Sequence, residues 1–133
     1  MALVREAATD GLGVRVVGAG HSFTAIARTD DVLVTLDDMT GIVAVDEATG
    51  RVRVRAGTRL CDLNPQLDAL GLAMSNLGDI AYQSVAGAIS TSTHGTGLGF
   101  RSIASDVVGL RLVTADGSYA GTILVNCDDA RYP

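Results

Sequence analysis

Glycine constrains this chain more than any other residue. It contributes 16 of the 133 residues, about twice the usual share of ~7%. The glycines are not spread evenly: they gather at Gly18–Gly20, at Gly87 and at Gly95–Gly99. Glycine serves where a backbone must turn with positive φ or pass very close to something else. Clustered beside Ser, Thr and His, it points to loops wrapped round a ligand.

Composition narrows the classes. The length supports one domain at most. With 47% hydrophobic and 19% charged residues, intrinsic disorder is excluded. A net charge of −5 leaves no basic face, so no nucleic-acid partner is expected. No apolar run approaches the ~20 residues of a membrane span, and no charged-then-apolar leader opens the chain. Membrane association is therefore not indicated. Cys61 and Cys127 make no disulfide framework and read as thiols of a reducing compartment, so a cytoplasmic location is expected. His21, His94, Cys61 and Cys127 lack metal-ligand spacing, and no metal is expected. There is no Gly-Lys-Ser/Thr phosphate loop and no Gly-x-Ser-x-Gly elbow.

The periodicities give an α+β chain with short strands and few helices. Leu3–Asp10 reads as a helix ended by Gly11. Val14–Val17 and Val32–Leu36 read as strands, and Ile42–Val45 with Val52–Val54 as a hairpin across Asp46–Gly50. The alternation in Arg51–Arg55 predicts valines inward and arginines in water. Asn64-Pro65 is expected to open a helix, with Leu60 and Leu63 in a turn leading in, because proline breaks a helix interior. Leu67 and Leu70 would share its face and Gly71 would end it. Leu72–Asn76 reads as extended, Gln83–Thr93 as a short helix of small residues, and Val107–Thr114 as a strand followed by a turn at Ala115–Ser118. The pattern weakens after Tyr119, and Asp128–Pro133 resembles a frayed end.

Two stretches carry chemistry. A strand runs into Gly18-Ala19-Gly20-His21-Ser22-Phe23, an arrangement that gathers backbone amides round a phosphate. A nicotinamide-dinucleotide fold is one reading, since Asp37 and Asp38 follow at the right distance. Against it, Phe23 replaces the third glycine, and residues 24–31 are too short for the crossover helix that a parallel pair needs. The second stretch, Gly78 to Gly97, is built of small residues on which a flat group can lie. Its hydroxyls and the free amides at a helix start would supply donors. A plain small-residue packing seam is the alternative.

Together, Val17–Phe23 and Ser84–Gly97 resemble the FAD-binding domain shared by vanillyl-alcohol oxidase and p-cresol methylhydroxylase. Within that group they are most similar to the aldonolactone oxidoreductases and to alditol oxidase. The hairpin, the Ala56–Leu60 turn and Asn76–Asp79 agree in order and spacing. The resemblance implies FAD as cofactor. It implies that Gly18, Ala19, Gly20, His21, Ser22 and Phe23 wrap the pyrophosphate, with His21 the candidate for a covalent flavin bond. Asp79, Ser84, Gly87, Ala88, Ser90 and Thr91 become contacts to the ribityl chain and ring, and His94 a further contact. Gly78 matches a position that governs access of dioxygen, where glycine leans towards an oxidase.

The implied activity is an FAD-dependent oxidation of a sugar lactone or polyol at CH–OH, with a nicotinamide-binding domain or a non-catalytic flavin-binding remnant as alternatives. The likeness spans about residues 3–119, so 1–119 is expected to be part of an FAD-binding domain and 120–133 a divergent tail. The family's cap domain and catalytic side chains match nothing here, so the chain is expected to be an N-terminal fragment prone to self-association.

Overall fold

A computed structural model describes residues 1–123. The elements run α1 (Ala2–Thr9), β1 (Val14–Val17), a 3-10 turn (Ala25–Ala27), β2 (Val32–Thr35), β3 (Ile42–Asp46), β4 (Arg51–Val54), α2 (Leu60–Asp68), α3 (Val85–Ser90), a second 3-10 turn (Ile103–Asp106), β5 (Leu110–Val113) and β6 (Tyr119–Ile123). Expectations for Cys127 and Asp128–Pro133 lie outside the described residues. Mixed helices and short strands match the expected class, and no described helix is long and apolar enough to cross a membrane.

Among the described residues the strands form three two-stranded sheets. β3 and β4 pair antiparallel as the hairpin, with Val52 and Val54 half-buried and the arginines exposed. β1 and β2 pair in parallel, Val14 opposite Val32 and Val17 opposite Thr35. Residues 24–31 hold no crossover helix, as their length predicts; what the structure corrects is the premise that a parallel pair needs one. An open loop with one 3-10 turn makes the crossover, and no α-helix lies between β1 and β2. The nicotinamide reading required such a helix. β6 pairs with β5 across the point where the sequence pattern weakens, Val107–Thr114 keeps only Leu110–Val113 as strand, and Leu72–Asn76 forms no strand.

Helix α2 differs most from expectation. It begins at Leu60, not at Asn64, and carries Pro65 in its interior. Proline there forfeits one helical hydrogen bond and crowds the carbonyl one turn back, a cost of ~3 kcal/mol. The early start buries Leu60, Leu63 and Leu67 on one stripe, and each buried leucine returns roughly 1.5–3 kcal/mol. Leu70 is left largely exposed. The first amides of α2 are also used: Leu60 N–H donates to Gln83 O (3.0 Å) and Cys61 N–H to Ala81 O (2.7 Å). Burial and this docking outweigh the proline. Leu60, Ala88 and Ile103 form the central cluster, with Met74, Ala81, Val85 and Ile89 around it, so α2 and the second 3-10 turn hold α3 in place.

At the β5–β6 turn, Asp116 accepts from the Thr114 hydroxyl (2.5 Å) and from Ser118 N–H (2.9 Å). Chiefly the Thr114 bond holds its carboxyl down to about 2. A carboxyl depressed on folding adds stability above its unfolded value, and that stability is lost as pH falls through the folded value. Asp116→Asn should therefore melt lower than the wild type at neutral pH, and the two curves should merge as pH approaches 2. A gap of constant size across that range, followed by circular dichroism, would contradict the assignment.

Candidate cofactor site

The two glycine-bearing stretches meet. A Cβ placed on Gly18, at the end of β1, would stand 2.6 Å from Ser84 Oγ and 3.5 Å from Gly87 Cα. The first loop therefore runs directly against the start of α3. Farther along, His21 lines a concavity of about 230 Å³ together with Gly78, Asp79, Ile80, Gln83, Thr93 and His94. Of the residues singled out in the sequence, His21, Gly78, Asp79 and His94 share this cleft, and Gly18, Ser84 and Gly87 form the seam beside it.

The rest fall elsewhere. Phe23 points into solvent, 93% exposed. Ser90 lines a separate apolar hollow with Ile89, Ala104, Val107 and Leu110. Ala88 is fully buried in the core. Thr91 closes α3, its hydroxyl donating to Gly87 O at 2.9 Å. Ala19, Gly20 and Ser22 stay in the loop.

The start of α3 requires a correction. Its first amides are not free: Val85 N–H donates to Thr58 O (2.8 Å), Ala86 N–H to Ala56 O (2.9 Å) and Gly87 N–H to Ser84 Oγ (3.2 Å). The Ala56–Thr58 turn has taken the donors expected to face a ligand. Ser84 is a buried N-cap, with its oxygen turned to its own helix.

Unspent donors lie in the loops instead. Among the described residues, the amides of Gly20 to Phe23 and of Gly78 to Tyr82 make no hydrogen bond. These amides, not the helix terminus, suit an anionic or carbonyl-rich ligand. His21 makes no hydrogen bond to the described residues either. His94 Nδ1 lies 2.8 Å from Gly95 O. A carbonyl oxygen only accepts, so Nδ1 carries the hydrogen of this contact.

Arg59 braces the cleft wall from behind. Its guanidinium pairs with Asp37 at 2.7 Å and reaches Tyr82 O at 3.3 Å. Three lining residues, Ile80, Gln83 and Thr93, were not singled out from the sequence. Their signal was position alone: each sits inside the Gly78–Gly97 stretch, next to residues that were chosen for being small or ionisable.

Residues 1–122 match the FAD binding domain family. The chain belongs to that family. This FAD-binding domain is 45% identical over 115 residues to L-gulono-1,4-lactone dehydrogenase of Mycobacterium tuberculosis, covering 86% of the chain and 27% of that protein. It is 45% identical over 105 residues to L-gulonolactone oxidase of Mus musculus, covering 79% and 24%. The chain thus spans about a quarter of the length of these relatives. Among solved structures, 6-hydroxy-D-nicotine oxidase from Arthrobacter nicotinovorans superposes with a TM-score of 0.79 at 28% identity, over 96% of the chain and 27% of that structure. The domain takes FAD, and the nicotinamide alternative is set aside.

The residues present fit that cofactor. The seam at Gly18 brings the two loops together, and their unspent amides are donors of the kind that phosphates and ring carbonyls require. The cleft offers the carboxylate of Asp79 and the free imidazole of His21.

Proposed function

We propose that the chain is the FAD-holding part of a sugar-lactone oxidoreductase. The observation that carries this reading is the meeting of the Gly18 loop with the Ser84–Gly87 segment beside a cleft lined from both stretches, in a chain resembling gulonolactone enzymes over most of its length. The amides of Gly20 to Phe23 would hold the pyrophosphate. The cleft from Gly78 to Gln83, with Thr93 and His94, would hold the ribityl chain and ring. FAD, when bound, would supply two-electron redox chemistry for a CH–OH carbon of the substrate. The chain's own share is to bind, orient and keep the cofactor.

His21 would keep it covalently, since its imidazole lines the cleft and has no partner among the described residues. The test is to incubate the purified chain with FAD, precipitate it in acid and read flavin fluorescence in the pellet. Wild type should retain flavin and His21→Ala should retain none, while reversible quenching of FAD fluorescence survives in the variant. Equal retention in both proteins removes His21 from this role. Quenching by NADH but not by FAD removes the cofactor reading.

A further inference from the structure

Three contacts lead from the cleft into α3. Gln83 Nε2 lies 3.0 Å from Thr93 Oγ1, Thr93 Oγ1 lies 3.2 Å from Thr91 Oγ1, and Thr91 Oγ1 lies 2.9 Å from Gly87 O. Each contact needs one hydrogen, and the two hydroxyls own two between them. Gly87 O only accepts, so the Thr91 hydrogen goes there. The Thr93 hydrogen must then go to Thr91. The third hydrogen has to come from the Gln83 amide. The chain of donors runs one way, and turning the Gln83 carboxamide over would leave one link without a hydrogen.

This fixes which end of the Gln83 carboxamide the network engages, in a residue that lines the cleft. Its Oε1 stands outside the chain and makes no hydrogen bond to the described residues. One Nε2 hydrogen remains as well. A carboxamide whose spare acceptor and spare donor share one edge, as they do when Thr93 takes the hydrogen trans to Oε1, complements an imide, which offers an N–H beside a C=O, by the same logic that pairs amide side chains with base edges. Oxidised flavin has one ring N–H, and it belongs to an imide.

We propose that Gln83 recognises the imide edge of the flavin, with Thr93 and Thr91 as positioning residues that hold its amide in register. The proposal rests on the FAD reading above. The left-handed residue Ser92 (φ 52°) contributes to the same arrangement. It turns the chain after α3 so that Thr93 N–H reaches Ala88 O at 3.0 Å, which brings the Thr93 hydroxyl back beside Thr91.

The test uses the chain with two probes, FAD and FAD methylated on the imide nitrogen, titrated by fluorescence quenching. One lost hydrogen bond of this kind is worth about tenfold in affinity. Wild type should bind FAD about tenfold tighter than the methylated probe. Gln83→Met should lose about tenfold for FAD and no longer distinguish the two. Thr91→Val should lose part of that discrimination, and adding it to Gln83→Met should cost nothing further. Gln83→Met binding FAD as wild type does, or still discriminating, overturns the proposal and leaves the FAD reading standing. Wild type failing to bind FAD overturns both. A second measurement needs no variant: the Gln83 side-chain amide resonance should move further on saturation with FAD than on saturation with the methylated probe, and a resonance indifferent to FAD overturns the proposal.

Discussion

Gly57→Ala is expected to unfold the chain under conditions where the wild type is folded. A Cβ at this position would be driven into the backbone carbonyl of Leu36 and would lie 2.9 Å from Met39 O. Both obstacles are main chain, so no rotamer change relieves the clash. Gly57 itself donates to Met39 O at 2.9 Å, which pins the turn against the residues after β2. Its neighbours Ala56 and Thr58 hold the first two amides of α3. Moving the turn therefore undoes the support of the cofactor segment as well. Overpacking against fixed backbone belongs to the upper range of single substitutions, roughly 3–5 kcal/mol, against the ~5–15 kcal/mol that folds an ordinary domain. Urea denaturation gives the measurement. A midpoint within experimental error of the wild type would show that the turn has room the geometry denies.

Gly18→Val should abolish measurable FAD binding while leaving a larger folded fraction than Gly57→Ala. The new side chain would press on Ser84 Oγ from 2.6 Å. Ser84 cannot retreat, because it is 2% exposed and its oxygen caps Gly87 N–H. The expected cost is about 1 kcal/mol for the cap plus about 1–3 kcal/mol for the forced separation. The larger effect is on binding, at roughly a hundredfold or more, because loops meant to close on one ligand would no longer meet. Gly18→Ala should fall between. Adding Ser84→Gly to Gly18→Ala should recover part of the lost affinity, since it removes the obstructing oxygen. Titration of FAD against these four proteins and Ser84→Gly alone decides it, and a double variant worse than the sum of its parts would mean that the seam is not where affinity is lost.

Local signals were legible where one residue pair controls an element. β1 and the β3–β4 hairpin follow from β-branched runs bounded by turn residues, and the Arg51–Val54 alternation predicts which side faces water. The start of α2 was not legible, because its docking partners Ala81 and Gln83 lie some twenty residues away, and proline preference is a local rule that burial of three leucines overrides. The parallel pairing of β1 and β2 was not legible for a similar reason: a crossover needs reach, which a loop supplies as well as a helix does. At the site, small residues and histidines marked the two stretches. They did not show that α3 spends its amides on the Ala56–Thr58 turn, since carbonyl directions are a tertiary property. Gln83 was passed over because an amide side chain has no charge and no unusual backbone to announce it.

Thr58, 1% exposed, joins parts of the molecule that the sequence keeps apart. Its hydroxyl accepts from Gly41 N–H at 2.9 Å and donates to Arg55 O at 2.7 Å, while its carbonyl receives Val85 N–H at 2.8 Å. Any local opening that frees Val85 by shifting this residue also frees Gly41. The hairpin base and the first turn of α3 therefore breathe as one cooperative unit. A ligand that quietens the helix would quieten Gly41 too, although nothing in the cleft touches it.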